Sequence, residues 1–191
     1  GAEIVIFPRK KLPDGLLPGI PLKIPPEMQI ESGRSLCYYE DAGWGKLVRE
    51  GKYKHGKFDD DLINAAVELI NRRWKPAPYP TWVTCIPSQR HPTLVPALAA
   101  GIAQRLGIPY MPVLFRVGNA PEQKMMKNGY MQAQNVIGSL QITNEIPTGS
   151  VLLVDDIIDS RWTITLAGYL LKQEGVTHVF PFTLAMAQGK D

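Results

Sequence analysis

Three apolar runs constrain this chain more than any other feature. WVTCI (82–86), VLLVD (151–155) and HVFPFTLA (178–185) are apolar almost throughout rather than in alternation. A strand with one wet face alternates, whereas a strand covered on both faces does not. Between and beside these runs lie helical patterns, at 94–106 with Gly107 after it and at 162–174 with Gly175 after it. Strands separated by helices predict an α/β fold, with a parallel twisted sheet flanked by helices on both faces. SLCYYED (35–41), YMPVLF (110–115) and VIGSLQI (136–142) read as further strands. Residues 43–51 read as a short helix ended by Gly51. Residues 59–74 read as an amphipathic helix, with Asp59 to Asp61 at its start, an apolar stripe of Leu62, Ala66, Leu69 and Ile70, and Pro76 as its stop.

Residues 8–27 are rich in Pro and Gly, which predicts an arm or linker over 1–32 and a folded domain over 33–191. A chain of 191 residues suffices for one domain with its own core. The net charge of +3 does not by itself imply a nucleic-acid partner. The positive charge is nevertheless uneven: KLVREGKYKHGK (46–57) carries Lys46, Arg49, Lys52, Lys54 and Lys57. Such a run is either a solvated face or a phosphate-binding patch. Cys37 and Cys85 are far apart and share no zinc spacing with His55, His91 or His178, so they read as two buried, reduced thiols of a cytoplasmic protein. No run has the length of a membrane span and no signal peptide is visible. The start without Met suggests one domain of a longer protein.

Ligands of open α/β sheets bind at the carboxyl ends of the strands. Three loops are expected at that edge: 87–93, 116–135 and 155–163. In VLLVDDIIDSRWT (151–163), two adjacent acids end a strand. Buried like charges repel and are costly to desolvate. A vicinal diol, or Mg²⁺ held through water, is a reason to place them there. The following Asp159, Ser160, Arg161, Trp162 and Thr163 run into a helix start, where amides and hydroxyls suit an anion. Diol and phosphate a few residues apart describe a ribose 5-phosphate. The alternative is a buried strand with a capped helix, in which one acid is merely a cap.

The stretch resembles the phosphoribosyl-pyrophosphate signature of type I phosphoribosyltransferases: four apolar residues, two acids, two apolar residues, then a Thr/Ser-rich loop. The resemblance implies that fold, with a flexible lid loop and a small N-terminal hood-like region. It implies phosphoribosyl pyrophosphate as ligand, with Asp155 and Asp156 on the ribose hydroxyls and Asp159 to Thr163 around the 5-phosphate. It also implies Asp159 as the base toward a purine-like acceptor. Mg²⁺ would come with the pyrophosphate, with no direct protein ligand. Arg161 departs from the pattern, standing where the family usually has Gly. The loop PSQRHP (87–92) looks like the family's pyrophosphate loop, with Ser88, Gln89 and Arg90 as its binding residues. Lys124 and Lys127, in the long polar segment RVGNAPEQKMMKNGYMQAQNVIGSL (116–140), would close over the pyrophosphate as a lid; the alternative is a solvated loop.

The Arg…Gln-Lys…Asn-Val layout of that segment resembles the ComF-like branch, although Gln132 stands where that branch often has Arg. From Gly33 to Ala185 the chain is similar to the phosphoribosyltransferase-like C-terminal domain of some RecQ-type DNA helicases. GRSLCYYEDAGWGKLVREGKYKHGKFDDD, PTWVTCIPSQRHPTLVPALA and VDDIIDSRWT carry that similarity. In that group the Ser-Arg-Trp-Thr loop is ordinary. The resemblance implies a DNA-repair setting and DNA as a partner through a linked helicase. A transferase and a non-catalytic ligand-sensing or DNA-binding module therefore both remain as readings.

Overall fold

A computed structural model of the chain describes residues 2–12, 23–116 and 140–188. The main sheet has the strand order β1-β2-β7-β6-β3. Its strands are β1 (Ile4–Ile6), β2 (Gly33–Tyr38), β3 (Trp82–Cys85), β6 (Gly149–Ile158) and β7 (Val176–Met186). β2, β7, β6 and β3 run parallel, and β1 is antiparallel to β2. Val83 also makes a parallel bridge to Tyr110 on the far side of β3.

The helices are α1 (Trp44–Glu50), α2 (Asp60–Glu68), α3 (Leu94–Leu106) and α4 (Trp162–Gln173). α1 widens into a π-helical turn at Gly51–His55, and α2 does so at Leu69–Trp74. Asp59 caps α2 by accepting the Asp61 amide at 2.8 Å. α3 closes on Gly107, whose φ of 75° is the left-handed value that favours glycine.

The core divides between the two faces of the sheet. On one face Val83, Leu152, Val154 and Phe182 pack with Leu62, Ile70, Leu98 and Ile102 of the α2 and α3 region. On the other, Val151, Leu153 and Val179 pack with Ile164, Ala167 and Leu171 of α4. This double coverage explains the apolar runs, because residues pointing either way from β6 are buried.

The second cluster also includes Ile6, Leu12, Ile24 and Ile30 from the 1–32 segment. That segment thus supplies an edge strand and buried side chains to the domain. Ile30 lies so close to α4 that a Cβ on Gly168 would sit 2.0 Å from its Cγ2, so glycine is required there.

The 110–115 run differs from the expected sheet strand. Tyr110 makes a single bridge, and β4 (Leu114–Arg116) leaves the sheet to pair antiparallel with β5 (Leu140–Ile142). Phe115 of β4 is 40% exposed, which a strand covered on both faces would not allow. The lid expectation at 116–135, with Lys124 and Lys127, lies outside the described residues beyond Arg116.

Both cysteines are buried free thiols. Burial pushes Cys37 up to about 12 and Cys85 up to about 11, so neither is a thiolate at neutral pH. Among the described residues, no helix is long and apolar enough to cross a membrane.

Candidate functional site

β3 and β6 are neighbours, yet the chain leaves them in opposite directions. From β3 it passes through α3 to the Tyr110 bridge, outward from the sheet centre. From β6 it passes through α4 to β7, toward the centre. The two helices consequently cover opposite faces, and a crevice opens between the carboxyl ends of β3 and β6. This is the topological switch point at which open α/β sheets bind ligands.

Asp155 and Asp156 stand on the β6 side of that crevice. Asp155 Oδ1 accepts the Asp156 amide at 2.8 Å, and Asp156 Oδ1 accepts the Ile157 amide at 2.7 Å. Asp156 Oδ2 faces the Lys52 ammonium at 3.0 Å, with side chains only 6% and 19% exposed. Burial works against the Lys52 charge, but the charge of Asp156 and the hydrogen bond to it prevail, so Lys52 holds its proton more tightly than an ordinary lysine. Burial also pushes the Asp155 carboxyl well above the usual carboxylate range, and the neighbouring Asp156 charge adds to it. Arg116, at the end of β4, donates from Nε to the Pro87 carbonyl at 3.0 Å. Burial weakens its hold on its proton, while the charge of Asp155 counteracts that effect.

Lys52 at the acid pair is a placement that sequence reasoning did not reach. Lys52 was hidden in the basic run. Lys46 of that run pairs with Glu50 at 3.8 Å, and Arg49 donates to the carbonyls of Tyr39 and Asp41. Lys54 and Lys57 are exposed.

With three carboxylate oxygens already engaged, the acid pair does not fit a directly coordinated divalent cation. Among the described residues, no group of His, Cys, Asp and Glu side chains is arranged to hold a metal ion.

The loop 159–161 joins β6 to α4. Asp159 is exposed, Ser160, Arg161 and Thr163 are half-buried, and Trp162 is buried. Arg161, the residue before α4, makes no capping hydrogen bond with its side chain. Arg161 takes a left-handed backbone, with φ 69° and ψ 1°. The position where the resembling family has Gly therefore uses the conformation that glycine supplies most cheaply, at a strain of roughly 1–2 kcal/mol for arginine.

The N-terminal segment fastens this loop. Arg9 Nε donates to the Ser160 carbonyl at 2.8 Å, and the Arg9 amide donates to Thr165 Oγ1 at 3.2 Å. The Arg9 guanidinium lies 4.0 Å from the centre of the Trp162 ring. In the other direction, Arg161 donates to the Phe7 carbonyl. Replacing Arg9 with Ala removes a hydrogen bond and a cation–π contact, with an expected loss of about 1–2 kcal/mol. Arg9→Lys should recover little of it, because lysine lacks the planar guanidinium. The denaturation midpoints of the three proteins check this.

Across the crevice, the loop after β3 carries Ser88, Gln89 and Arg90. Ser88 Oγ accepts the His91 amide at 3.2 Å and so shapes the turn, while Gln89 and Arg90 are exposed. His91 meets Tyr53 edge-on, with ring centroids 6.4 Å apart. The acids, the 159–163 loop and the 88–90 loop thus share the carboxyl edge. Lys124 and Lys127 lie outside the described residues.

No protein-family model matches the chain, and no curated protein matches it. Among solved structures, the chain is similar to adenine phosphoribosyltransferase from Leishmania tarentolae, with 16% identity and a TM-score of 0.44 over 68% of this chain and 72% of that one. It is similar to the Saccharomyces cerevisiae adenine phosphoribosyltransferase at 20% identity and a TM-score of 0.43, covering 68% and 70%. It is also similar to the allosteric regulatory enzyme of purine biosynthesis at 23% identity and a TM-score of 0.45, covering 64% of this chain and only 25% of that one. The chain thus spans about a quarter of that last protein's length.

Proposed function

We propose that the domain binds a phosphoribosyl ligand in the crevice between β3 and β6. The observation that carries this reading is the placement of an acid pair and a helix start side by side at the switch point of the sheet. Asp155 and Asp156 take the ribose hydroxyls. Residues 159–163, with the hydroxyls of Ser160 and Thr163 and the amides of the first turn of α4, take the 5-phosphate. Ser88, Gln89 and Arg90 face the pyrophosphate side of phosphoribosyl pyrophosphate. Mg²⁺ belongs to this reading as a companion of the pyrophosphate and not as a ligand of the acids.

As a transferase, the domain would let a ring nitrogen of a purine-like base displace pyrophosphate from C1 of the ribose. The two acids would steady the positive charge developing on the sugar, and Asp159 would take the proton from the base. Calorimetry with ribose 5-phosphate and with phosphoribosyl pyrophosphate tests the ligand. Pyrophosphate release across a panel of bases tests the transfer. Saturable binding of both ligands without pyrophosphate release would leave a ligand-sensing module, and no binding of either would end the reading.

The left-handed Arg161, with its side chain on the Phe7 carbonyl, is the observation that favours the sensing form. The narrower resemblance to the ComF-like branch and to the domain linked to RecQ-type helicases rests on the sequence stretches quoted above. A DNA contact would draw on Lys10, Lys11, Lys54 and Lys57, since Lys46, Arg49 and Lys52 are engaged within the domain. A gel-shift at low salt tests that contact.

A further inference from the structure

We propose that Lys52 is the resident cation of the acid pair: its ammonium holds the place beside Asp156 that a divalent cation would otherwise take, so the site holds its sugar without a metal at the acids. The sugar half of this inference rests on the phosphoribosyl reading above; the cation half rests on the ion pair alone.

The contact is built rather than incidental. Lys52 Nζ lies 3.0 Å from Asp156 Oδ2, and both side chains are largely shielded from water. Lys52 rides on the π-helical turn Gly51–His55, which aims it across the end of the sheet. Gly51 lets that turn pack down, since a Cβ there would sit 2.7 Å from Phe58 Cδ1 and 2.9 Å from the Lys57 carbonyl oxygen. The tight hold of Lys52 on its proton keeps the ammonium charged through the neutral range. The acid pair thus already meets a cation from a remote part of the chain, and an entering dication would be repelled by it. A vicinal diol, being neutral, would meet no such repulsion and could still donate hydrogen bonds to the carboxylates.

The test uses the whole chain and Mn²⁺ alone, followed by water-proton relaxation. The wild type should show no saturable site at millimolar Mn²⁺. Lys52→Gln should gain one, tighter than any site on the wild type by ~10-fold or more, and Lys52→Gln with Asp156→Asn should lose it again. If Lys52→Gln unfolds, millimolar Mn²⁺ should restore its folding, because a ligand of the native state alone stabilises that state. Lys52→Arg, which keeps the charge, should exclude Mn²⁺ as the wild type does.

A saturable Mn²⁺ site on the wild type that Asp156→Asn removes overturns the proposal. So does a Lys52→Gln protein that neither gains a site nor is rescued by Mn²⁺. In parallel, ribose 5-phosphate should bind the wild type with the same affinity, within about twofold, in Mg²⁺ and in chelator. Binding lost in chelator overturns the metal-free sugar site. Binding absent under both conditions brings down the phosphoribosyl reading and the sugar half with it, while the Mn²⁺ result still decides what Lys52 does.

Discussion

Asp156→Asn is expected to destabilise the domain by about 2–3 kcal/mol, whereas Asp155→Asn, one residue away, is expected to stabilise it by about 1 kcal/mol at neutral pH. The opposite signs follow from the partners. Asp156 answers the ammonium of Lys52 at 3.0 Å, so the amide leaves a shielded positive charge with only Asp155 nearby. Asp155 is a buried acid beside a like charge, and its amide isostere removes the repulsion.

The pH dependence separates the two further. The carboxyl of Asp155 binds its proton more tightly in the folded than in the unfolded chain. Its contribution to stability is therefore complete below its unfolded pKa of about 3.9 and is lost as pH rises through the higher folded value. Asp155→Asn should flatten that decline, so its advantage should vanish in acid. Lys52 is also raised, so the stability from its pairing persists until alkaline pH and is lost as pH climbs through its folded value. Urea titrations of both variants at several pH values check these signs. Equal and parallel curves would show that the acids act as one unit.

Gly168→Ala is the second large effect. In an open helix position this change gains about 1 kcal/mol of propensity. Here the new Cβ would fall 2.0 Å from Ile30 Cγ2, against an N-terminal segment whose Ile6, Leu12, Ile24 and Ile30 share one core with α4. Overpacking of this kind costs about 1–3 kcal/mol and displaces neighbours. We expect a net loss of about 2 kcal/mol, which moves the melting temperature down by roughly 4–8 °C for a domain of this size. Trimming the neighbour should reveal the coupling: in an Ile30→Ala background, Gly168→Ala should become neutral or stabilising. A double-mutant cycle with no interaction between the two sites would show that α4 yields instead.

The elements set by local pattern were legible in the sequence. α3 follows its apolar periodicity over Leu94–Leu106, and the unbroken apolar character of 151–154 announced a strand covered on both sides. The acids of β6 were legible because nothing in a core asks for two adjacent carboxylates, although the strand continues past them to Ile158 instead of ending there. What sequence reasoning could not reach depends on pairing across distance. The role of Lys52 is decided by a π turn that aims one lysine of a basic run inward. The 110–115 run has strand composition, but its partner is a short ribbon rather than the sheet. In the 1–32 segment, four isolated apolar residues find a core they cannot form among themselves. Arg161 breaks the expected glycine pattern in side chain while keeping the backbone shape of that position.

The clasp between Phe7–Arg9 and Ser160–Thr165 has a consequence for the order in which the chain becomes competent. The Arg9 to Ser160 contact spans 151 residues, and the Arg9 to Thr165 contact spans 156. Contacts of such separation form late, after the intervening chain has paid its loop-closure entropy. Synthesis delivers Arg9 before the loop it fastens, which follows 151 residues later. A partly folded chain with β6 and α4 already formed would still hold the proposed phosphate loop in the wrong shape. Ligand capture would thus report that the two ends of the domain have met, and binding kinetics during refolding would lag behind the appearance of helix.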